Sequence, residues 1–171
     1  MPTEDLLLQI LFRNYDEEVS RNELIDNKNS QMIVLTGTML TLQATLFTTG
    51  LLNEFVYNQV ISKPFKFCIF NLFFSSLIMS LVSMICFIFA YKFVGTFKQA
   101  PQAIYVKNSY SGGKSYSELL DDLFTRLPKT IKKNKKIMKR KVKIANVGFV
   151  FVILNILSII LFVSLLIYCF I

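Results

Sequence analysis

Two long stretches without a charged side chain constrain the fold of this chain more than any other feature. Residues 67–91 and 144–171 contain no Asp, Glu, Lys or Arg, and each exceeds the roughly 20 residues that a helix needs to cross bilayer hydrocarbon. Backbone groups in hydrocarbon must be satisfied within their own segment, so both stretches are predicted to be helices. The hydrophobic share of 53% is also high for a water-soluble domain. We therefore expect an integral membrane protein.

A third stretch, residues 31–52, is also uncharged and long enough to span, although its six threonines and two glycines make it less apolar. We predict that it is the first transmembrane helix. The expected fold class is an all-α membrane protein with three transmembrane helices and cytoplasmic amphipathic helices, one N-terminal and one between spans. If residues 31–52 do not span, the N-terminus moves to the outside and the rest of the topology stands.

The distribution of basic residues predicts the orientation of these helices. Residues 92–143 contain fourteen Lys or Arg and three Asp or Glu, and the positive-inside rule places such a segment in the cytoplasm. Residues 1–30 are then a cytoplasmic amphipathic helix, residues 53–66 an outer link, and the C-terminus of the third span, 144–171, lies outside. We expect a multi-pass protein of the cell (inner) membrane.

Both cytoplasmic segments show an apolar stripe at helical spacing. In residues 3–27 the opposite face is acidic, which suits packing on protein better than lying on anionic lipid. Ser115 and Glu118 have the spacing of a capping box, and the helix that they begin is predicted to end near Pro128. The two cytoplasmic helices can pair with each other. The stripe of the first comprises Leu8, Leu11, Phe12, Tyr15 and Val19.

Nine of the fifteen residues in 129–143 are basic, and this helix is predicted to continue into the third span. One interpretation is a topology determinant whose cations contact anionic headgroups. The other is a docking surface for an anionic ligand, either a nucleotide or the acidic helix of a neighbouring copy. Nucleic acid is disfavoured because no aromatic side chains interleave with the lysines. The candidate contacts are Lys132, Lys133, Lys135, Lys136, Lys139 and Arg140.

Threonines recur along one face of the first predicted span at spacings near whole helical turns. Such residues allow close helix packing and interhelical hydrogen bonds. In an oligomer the same face could instead line a water-filled pore, and the sequence favours neither alternative. The residues are Thr38, Thr41, Thr45, Thr48 and Thr49.

Several classes of chemistry lack the residues that they need. The chain has no histidine, no glycine-rich phosphate loop and no hydrolase motif. Asp121 and Asp122 are adjacent and so point to different sides of a helix, and the cysteines lack metal-site spacing. No charged residue lies within a span core, which disfavours a proton-coupled carrier. We expect no enzyme activity, no metal and no cofactor.

Residues 24–46 and 115–149 resemble the Pycsar-type transmembrane effectors of cyclic-nucleotide antiphage defence. The similar features are Asp26 and Lys28 before the first span, and Lys141 or Lys143 before the last. The resemblance implies a homo-oligomer that perturbs the inner membrane after a signal from a cyclic nucleotide. The Asp26 and Lys28 pair also has a simpler explanation, in which Lys28 extends to headgroups and Asp26 stays hydrated.

Three functions remain open at this point. The first is a non-enzymatic membrane effector that self-associates and compromises membrane integrity when triggered. The second is a constitutive membrane anchor or assembly protein whose cytoplasmic helices recruit a partner. The third, a small solute transporter or channel, needs a polar path that the sequence of one copy does not show.

Overall fold

The computed structural model describes residues 2–48, 62–95, 112–113 and 115–170, and all the regular structure in these ranges is helical. Helix α1 comprises Pro2–Thr48, α2 comprises Lys63–Ile88, and α3 comprises Tyr116–Phe170. A short π-helix, Phe89–Phe93, follows α2 directly. Thr49, most of the outer link and residues 96–111 of the basic segment lie outside the described residues.

Two of these helices are long and apolar enough to cross a membrane, namely Lys63–Lys92 and the part of α3 within Tyr116–Tyr168. They contain the first stretch that the absence of charge predicted to be a span, 67–91, and residues 144–168 of the second. The described part of residues 31–52 is helical as well, as the last third of α1. In the part of the chain that the structure describes, an all-helical fold with two candidate membrane spans is therefore confirmed, whereas the third predicted span is not.

The capping box at the start of α3 is confirmed by both of its hydrogen bonds. The Ser115 N–H donates to Glu118 Oε2 at 3.0 Å, and the Glu118 N–H donates to Ser115 Oγ at 3.3 Å. Each side chain thus satisfies a backbone group that the first helical turn leaves without a partner. The helix begins where the sequence predicts.

The predicted end of this helix near Pro128 is wrong, because α3 continues through Pro128 without a break to Phe170. A proline lacks the N–H that would bond to the carbonyl four residues earlier. Pro128 lies on the exposed side of α3, where water can satisfy that carbonyl, while the preceding Leu127 is fully buried. Packing on the buried side outweighs the lost bond. The predicted continuation of the basic run into the last apolar stretch is confirmed.

The chain forms two compact units, of which unit 1 contains Met1–Asn27 and Phe93–Val142 and unit 2 contains Lys28–Lys92 and Lys143–Ile171. Unit 1 buries apolar side chains from the start of α3 together with Tyr15 of α1. Unit 2 has an aromatic cluster in which the Phe73 ring lies 6.2 Å from that of Phe47 and 5.3 Å from that of Phe162. Each of the three helices contributes one ring to this cluster.

Burial recurs every seven residues along the helices, in both units. The same repeat produces left-handed packing in coiled coils, because 3.5 residues per turn keep one seam facing its neighbours. In unit 1 the buried seam of α3 comprises Leu120, Leu127, Asn134 and Lys141. In unit 2 it comprises Gly148, Asn155 and Phe162. The seam of α1 in unit 2 comprises Asn29, Thr36 and Gln43, and that of α2 includes Ser76 and Ser83.

Candidate functional site

The interior of unit 2 contains a layer of four hydrogen-bonded polar side chains, Gln43, Ser76, Ser80 and Asn155, here called the polar layer. Gln43 Nε2 donates to Ser76 Oγ at 3.1 Å and to Asn155 Oδ1 at 3.1 Å. Ser80 Oγ donates to Gln43 Oε1 at 3.2 Å, and Asn155 Nδ2 donates to Ser80 Oγ at 2.6 Å. All four residues are at most 2% exposed. The layer joins α1, α2 and α3 through neutral groups.

The two amides of the polar layer have almost all of their donors in use. Asn155 Nδ2 also approaches Met39 Sδ at 3.9 Å, and Ser76 Oγ donates to the Phe73 carbonyl at 2.8 Å. A hydrogen bond between helices in a membrane contributes about 0.6 kcal/mol on average, and up to about 1.7 kcal/mol. The layer therefore fixes the relative register of the three helices more than it adds to their stability.

Close to the polar layer, α2 and α3 approach each other through a glycine. Ser83 Oγ donates to the Gly148 carbonyl at 3.0 Å. A Cβ atom at Gly148 would lie 3.1 Å from the Phe87 ring and 3.2 Å from Cys86 Cβ. Because Phe87 is fully buried, it has little room to move aside. A side chain at this position would therefore crowd the contact between α2 and α3.

In unit 1 a buried lysine is held by two side chains of α1, and we call this group the Lys141 cluster. Lys141 Nζ donates to Asp26 Oδ1 at 2.7 Å, to Asp26 Oδ2 at 3.0 Å and to Asn22 Oδ1 at 3.0 Å. Asn22 Nδ2 also donates to Asp26 Oδ2 at 3.1 Å. The Lys141 side chain is 5% exposed and that of Asp26 is 25% exposed. All three ammonium protons have acceptors, as a buried charge requires.

Of the two residues that the sequence singled out before the first span, Asp26 and Lys28, only Asp26 belongs to this cluster. Lys28 is exposed, and the cation beside Asp26 is Lys141. Of the two lysines considered before the last span, Lys141 is thus the one that unit 1 brings to Asp26, while Lys143 is exposed. The two partners lie 115 residues apart in the sequence, so local sequence patterns cannot identify them.

The six candidate basic contacts lie along the exposed sides of α3 and do not converge on one point. Lys135 Nζ lies 3.7 Å from Glu18 Oε1, and Lys135 and Lys139 line a groove with residues of α1. The other four are exposed and do not line this groove; they are Lys132, Lys133, Lys136 and Arg140.

The threonine face predicted for packing or for a pore is exposed in this structure. Each of its described hydroxyls donates to a carbonyl of α1 itself, at 2.9 to 3.0 Å. The buried side of α1 is instead the seam of Asn29, Thr36 and Gln43. Pattern reasoning missed Gln43, although the seven-residue spacing of polar side chains within an uncharged stretch could have found it. The exposed residues are Thr38, Thr41, Thr45 and Thr48.

Metal-binding chemistry finds no support in the described ranges, where no three Asp, Glu, His or Cys side chains come together. Of the cysteines, Cys68 is exposed and Cys86 is half-buried, and both are free thiols. Comparisons of the chain with protein-family models, with curated proteins and with solved structures find no match.

Proposed function

We propose that this chain is a non-enzymatic membrane effector that self-associates and compromises membrane integrity when triggered. The observation that carries the proposal is a second apolar stripe on α1, on the part that belongs to unit 1. Leu6, Leu7 and Ile10, on the first turns of α1, are 58%, 53% and 50% exposed. Apolar side chains clustered on the surface of a polar, charged unit mark an interaction site. A neighbouring copy can cover this stripe.

Charge on the surface of unit 1 supports association between copies. Asp16, Glu17 and Glu23 are exposed on α1, while the exposed sides of α3 carry lysines and Arg140. Opposite potentials on two faces of one unit favour head-to-tail contacts, in which the acidic face of one copy meets the basic face of the next. Such contacts form rings when the rotation closes, and a ring can surround an opening.

The interior of unit 2 supports the step that perturbs the membrane. Its outward side chains on α1 include Val34, Leu42 and Phe47 at 67%, 61% and 53% exposed, and the outward threonine hydroxyls are satisfied by carbonyls of their own helix. We accordingly assign this part of α1 as a third span, with the N-terminus in the cytoplasm and the C-terminus outside. The polar layer then lies among spans, and its amides and hydroxyls would be hydrated if the helices separate.

The trigger in this proposal is a small anionic signal, and the resemblance to Pycsar-type effectors suggests a cyclic nucleotide and a role in antiviral defence. The alternative is a constitutive anchor or assembly protein, in which the exposed stripe of α1 binds a different partner. One observation favours that alternative, because the fully hydrogen-bonded polar layer suits a static assembly as well as a switch.

Membrane potential in cells that express the full-length chain tests the proposal. We expect depolarisation, reported by a voltage-sensitive dye, when the protein is overproduced or supplied with its trigger. A Leu6→Ser, Ile10→Ser variant should lose both depolarisation and crosslinked oligomers, because these side chains are exposed and their change leaves the fold intact. Gln9→Ser with Asn14→Ser, two exposed polar neighbours, is the matched control and should behave as the wild type.

Two outcomes would contradict the effector proposal. An unchanged potential in the wild type, with and without candidate cyclic nucleotides, would move the assignment to the anchor. Depolarisation by the stripe variant equal to that of the control would show that the stripe has no part in the activity.

A further inference from the structure

Unit 1 contains a groove of about 500 Å³ between α1 and α3, here called the unit 1 groove. Its apolar lining comes from Leu24 and Ile25 of α1 and from Met138 and Val142 of α3. Its charged lining comes from Glu18, Arg21, Lys135 and Lys139. Three cations against one carboxylate leave a net charge of +2 (three minus one), which favours an anionic occupant with an apolar part.

Glu18 is the unusual member of this lining, because it is a carboxylate only 3% exposed. Its Oε1 atom lies 3.5 Å from Arg21 Nη1 and 3.7 Å from Lys135 Nζ. Its Oε2 atom is buried and has no hydrogen-bond partner. Buried polar atoms in native proteins are nearly always hydrogen-bonded. Because Glu18 belongs to the groove lining, a small rotation of its carboxylate would let a ligand in the groove donate a hydrogen bond to this oxygen.

The position of the groove along α3 indicates the source of such a ligand. Helix α3 is continuous from Tyr116 to Phe170, and its uncharged stretch starts at Ile144. At a rise of about 1.5 Å per residue, Lys139 lies about 8 Å and Lys135 about 14 Å before Ile144 along the helix axis. The headgroup layer extends roughly 5–8 Å beyond the hydrocarbon, and lysine side chains reach several ångströms toward it. Phospholipid headgroups are within reach.

We propose that the unit 1 groove binds one anionic phospholipid whose headgroup carries a hydroxyl beside its phosphate, as phosphatidylglycerol does. The phosphate contacts Lys135, Lys139 and Arg21, and the headgroup hydroxyl donates to Glu18 Oε2. The apolar lining covers the glycerol backbone and the first acyl carbons. This site differs from a diffuse attraction to headgroups, because one carboxylate selects among lipids of equal charge. It requires that α3 crosses the membrane and does not rest on the effector proposal.

Native mass spectrometry of the purified full-length protein in detergent tests the site, by titration with three lipids. Phosphatidylglycerol is the probe, phosphatidylmethanol has the same charge without a hydroxyl, and phosphatidylcholine has no net charge. We expect phosphatidylglycerol to bind in a one-to-one complex, several-fold more tightly than phosphatidylmethanol and at least about tenfold more tightly than phosphatidylcholine.

A matched pair of charge variants separates the groove from the rest of the basic helix. Lys135→Gln with Lys139→Gln should weaken phosphatidylglycerol binding about tenfold. Lys136→Gln with Arg140→Gln removes the same charge at the same spacing, one residue further along α3 and outside the groove lining. It should change the affinity less than about twofold. Equal loss in both variants would overturn the site in favour of diffuse attraction.

Glu18→Met tests the carboxylate, because methionine has a similar length and no acceptor of comparable strength. The preference for phosphatidylglycerol over phosphatidylmethanol should disappear, while phosphatidylmethanol binds at least as tightly as to the wild type. Thermal unfolding and circular dichroism report whether the variant is folded, and Glu18→Leu, which also lacks an acceptor, serves if it is not. A preference unchanged in a folded variant overturns the assignment.

Two other occupants of the unit 1 groove would give different results in the same samples. Displacement of the lipid by a cyclic nucleotide, with that displacement lost in the Lys135 and Lys139 variant, would assign the groove to the nucleotide instead. Loss of oligomers in this variant, with lipid binding unchanged, would assign it to a helix of a second copy.

Discussion

The two units of this molecule both bury polar side chains, and they differ in whether those side chains are charged. Unit 1 buries Glu18 and Lys141, at 3% and 4% exposed, whereas the buried polar residues of unit 2 are neutral amides and hydroxyls. A buried charge outside a membrane needs only a partner and some access to water. In hydrocarbon a buried charge costs more free energy, and any step that separates the charged pair must overcome that cost. If the two candidate spans of unit 2 lie in hydrocarbon, each unit buries the kind of polar group that its surroundings tolerate.

The comparison also shows what the seven-residue seams contribute. In coiled coils the seam positions are mostly apolar, and a single buried polar residue lowers stability while it fixes the register. Here Lys141, Gly148 and Asn155 follow one another at seven-residue intervals in α3, and none is a large apolar residue. These three seam positions therefore specify how each unit is arranged, while the apolar contacts, such as that of Phe73 with Phe162 at the next seam position, contribute more of the stability. Substitutions of Lys141, Gly148 and Asn155 test how much each seam position contributes.

The largest effect is expected from Lys141→Met, which removes the cation from the Lys141 cluster. Asp26 would keep its charge and lose its only ion-pair partner in the described residues. Breaking a buried pair costs about 3–5 kcal/mol, and the partial exposure of Asp26 reduces this to about 2–4 kcal/mol. Thermal unfolding in detergent should show a clearly lowered midpoint. Lys143→Met, at an exposed position, is the control, and an equal shift in both variants would disprove the role of the cluster.

An intermediate effect is expected from Gly148→Leu, where α2 and α3 approach in unit 2. The new side chain would meet Phe87 and Cys86 within 3.2 Å at its first atom, and overpacking of this kind costs about 1–3 kcal/mol. Gly37→Leu is the matched control, because a Cβ atom there meets nothing within 4 Å. The same unfolding measurement should place Gly37→Leu near the wild type. If the two variants unfold at the same temperature, the close approach of α2 and α3 does not constrain which residue stands at position 148.

The smallest effect is expected from Asn155→Leu in the polar layer. Gln43 would lose one acceptor and Ser80 one donor, at a cost of about 0.6–1.7 kcal/mol. Thr45→Val is the control, since Thr45 is exposed and its hydroxyl donates only to its own helix, at the Thr41 carbonyl. A larger loss of stability for Asn155→Leu than for Lys141→Met would reverse the comparison between the two units.

Local patterns in the sequence predicted the helical elements well. The absence of charge located the two candidate spans, and the spacing of Ser115 and Glu118 located the start of α3. These features depend on residues within a few turns of one another, so a linear sequence displays them. The predicted end at Pro128 failed because the burial of Leu127, a tertiary effect, outweighed a local signal.

The side-chain contacts inside each unit were harder to predict, because their partners lie far apart in the sequence. The partner of Asp26 is Lys141, 115 residues away, and the partners of Gln43 lie on two other helices. The numerous threonines of α1 suggested a packing or pore face. Hydroxyls that bond to carbonyls of their own helix can, however, face outward at little cost in free energy. Gln43 and Thr36, seven residues apart, carried the better signal.

The seven-residue seam also limits how the length of α3 can change. Inserting or deleting one residue between Gly148 and Asn155 would rotate everything beyond it by about 100°. Either Asn155 would leave the polar layer or Gly148 would lose its contact with Ser83. Removal of a whole block of seven would keep the rotation in phase, but it would shift the positions beyond it by about 10 Å along α1 and α2. Length variation in this part of α3 should therefore occur in steps of seven residues, together with equal changes in α1 and α2.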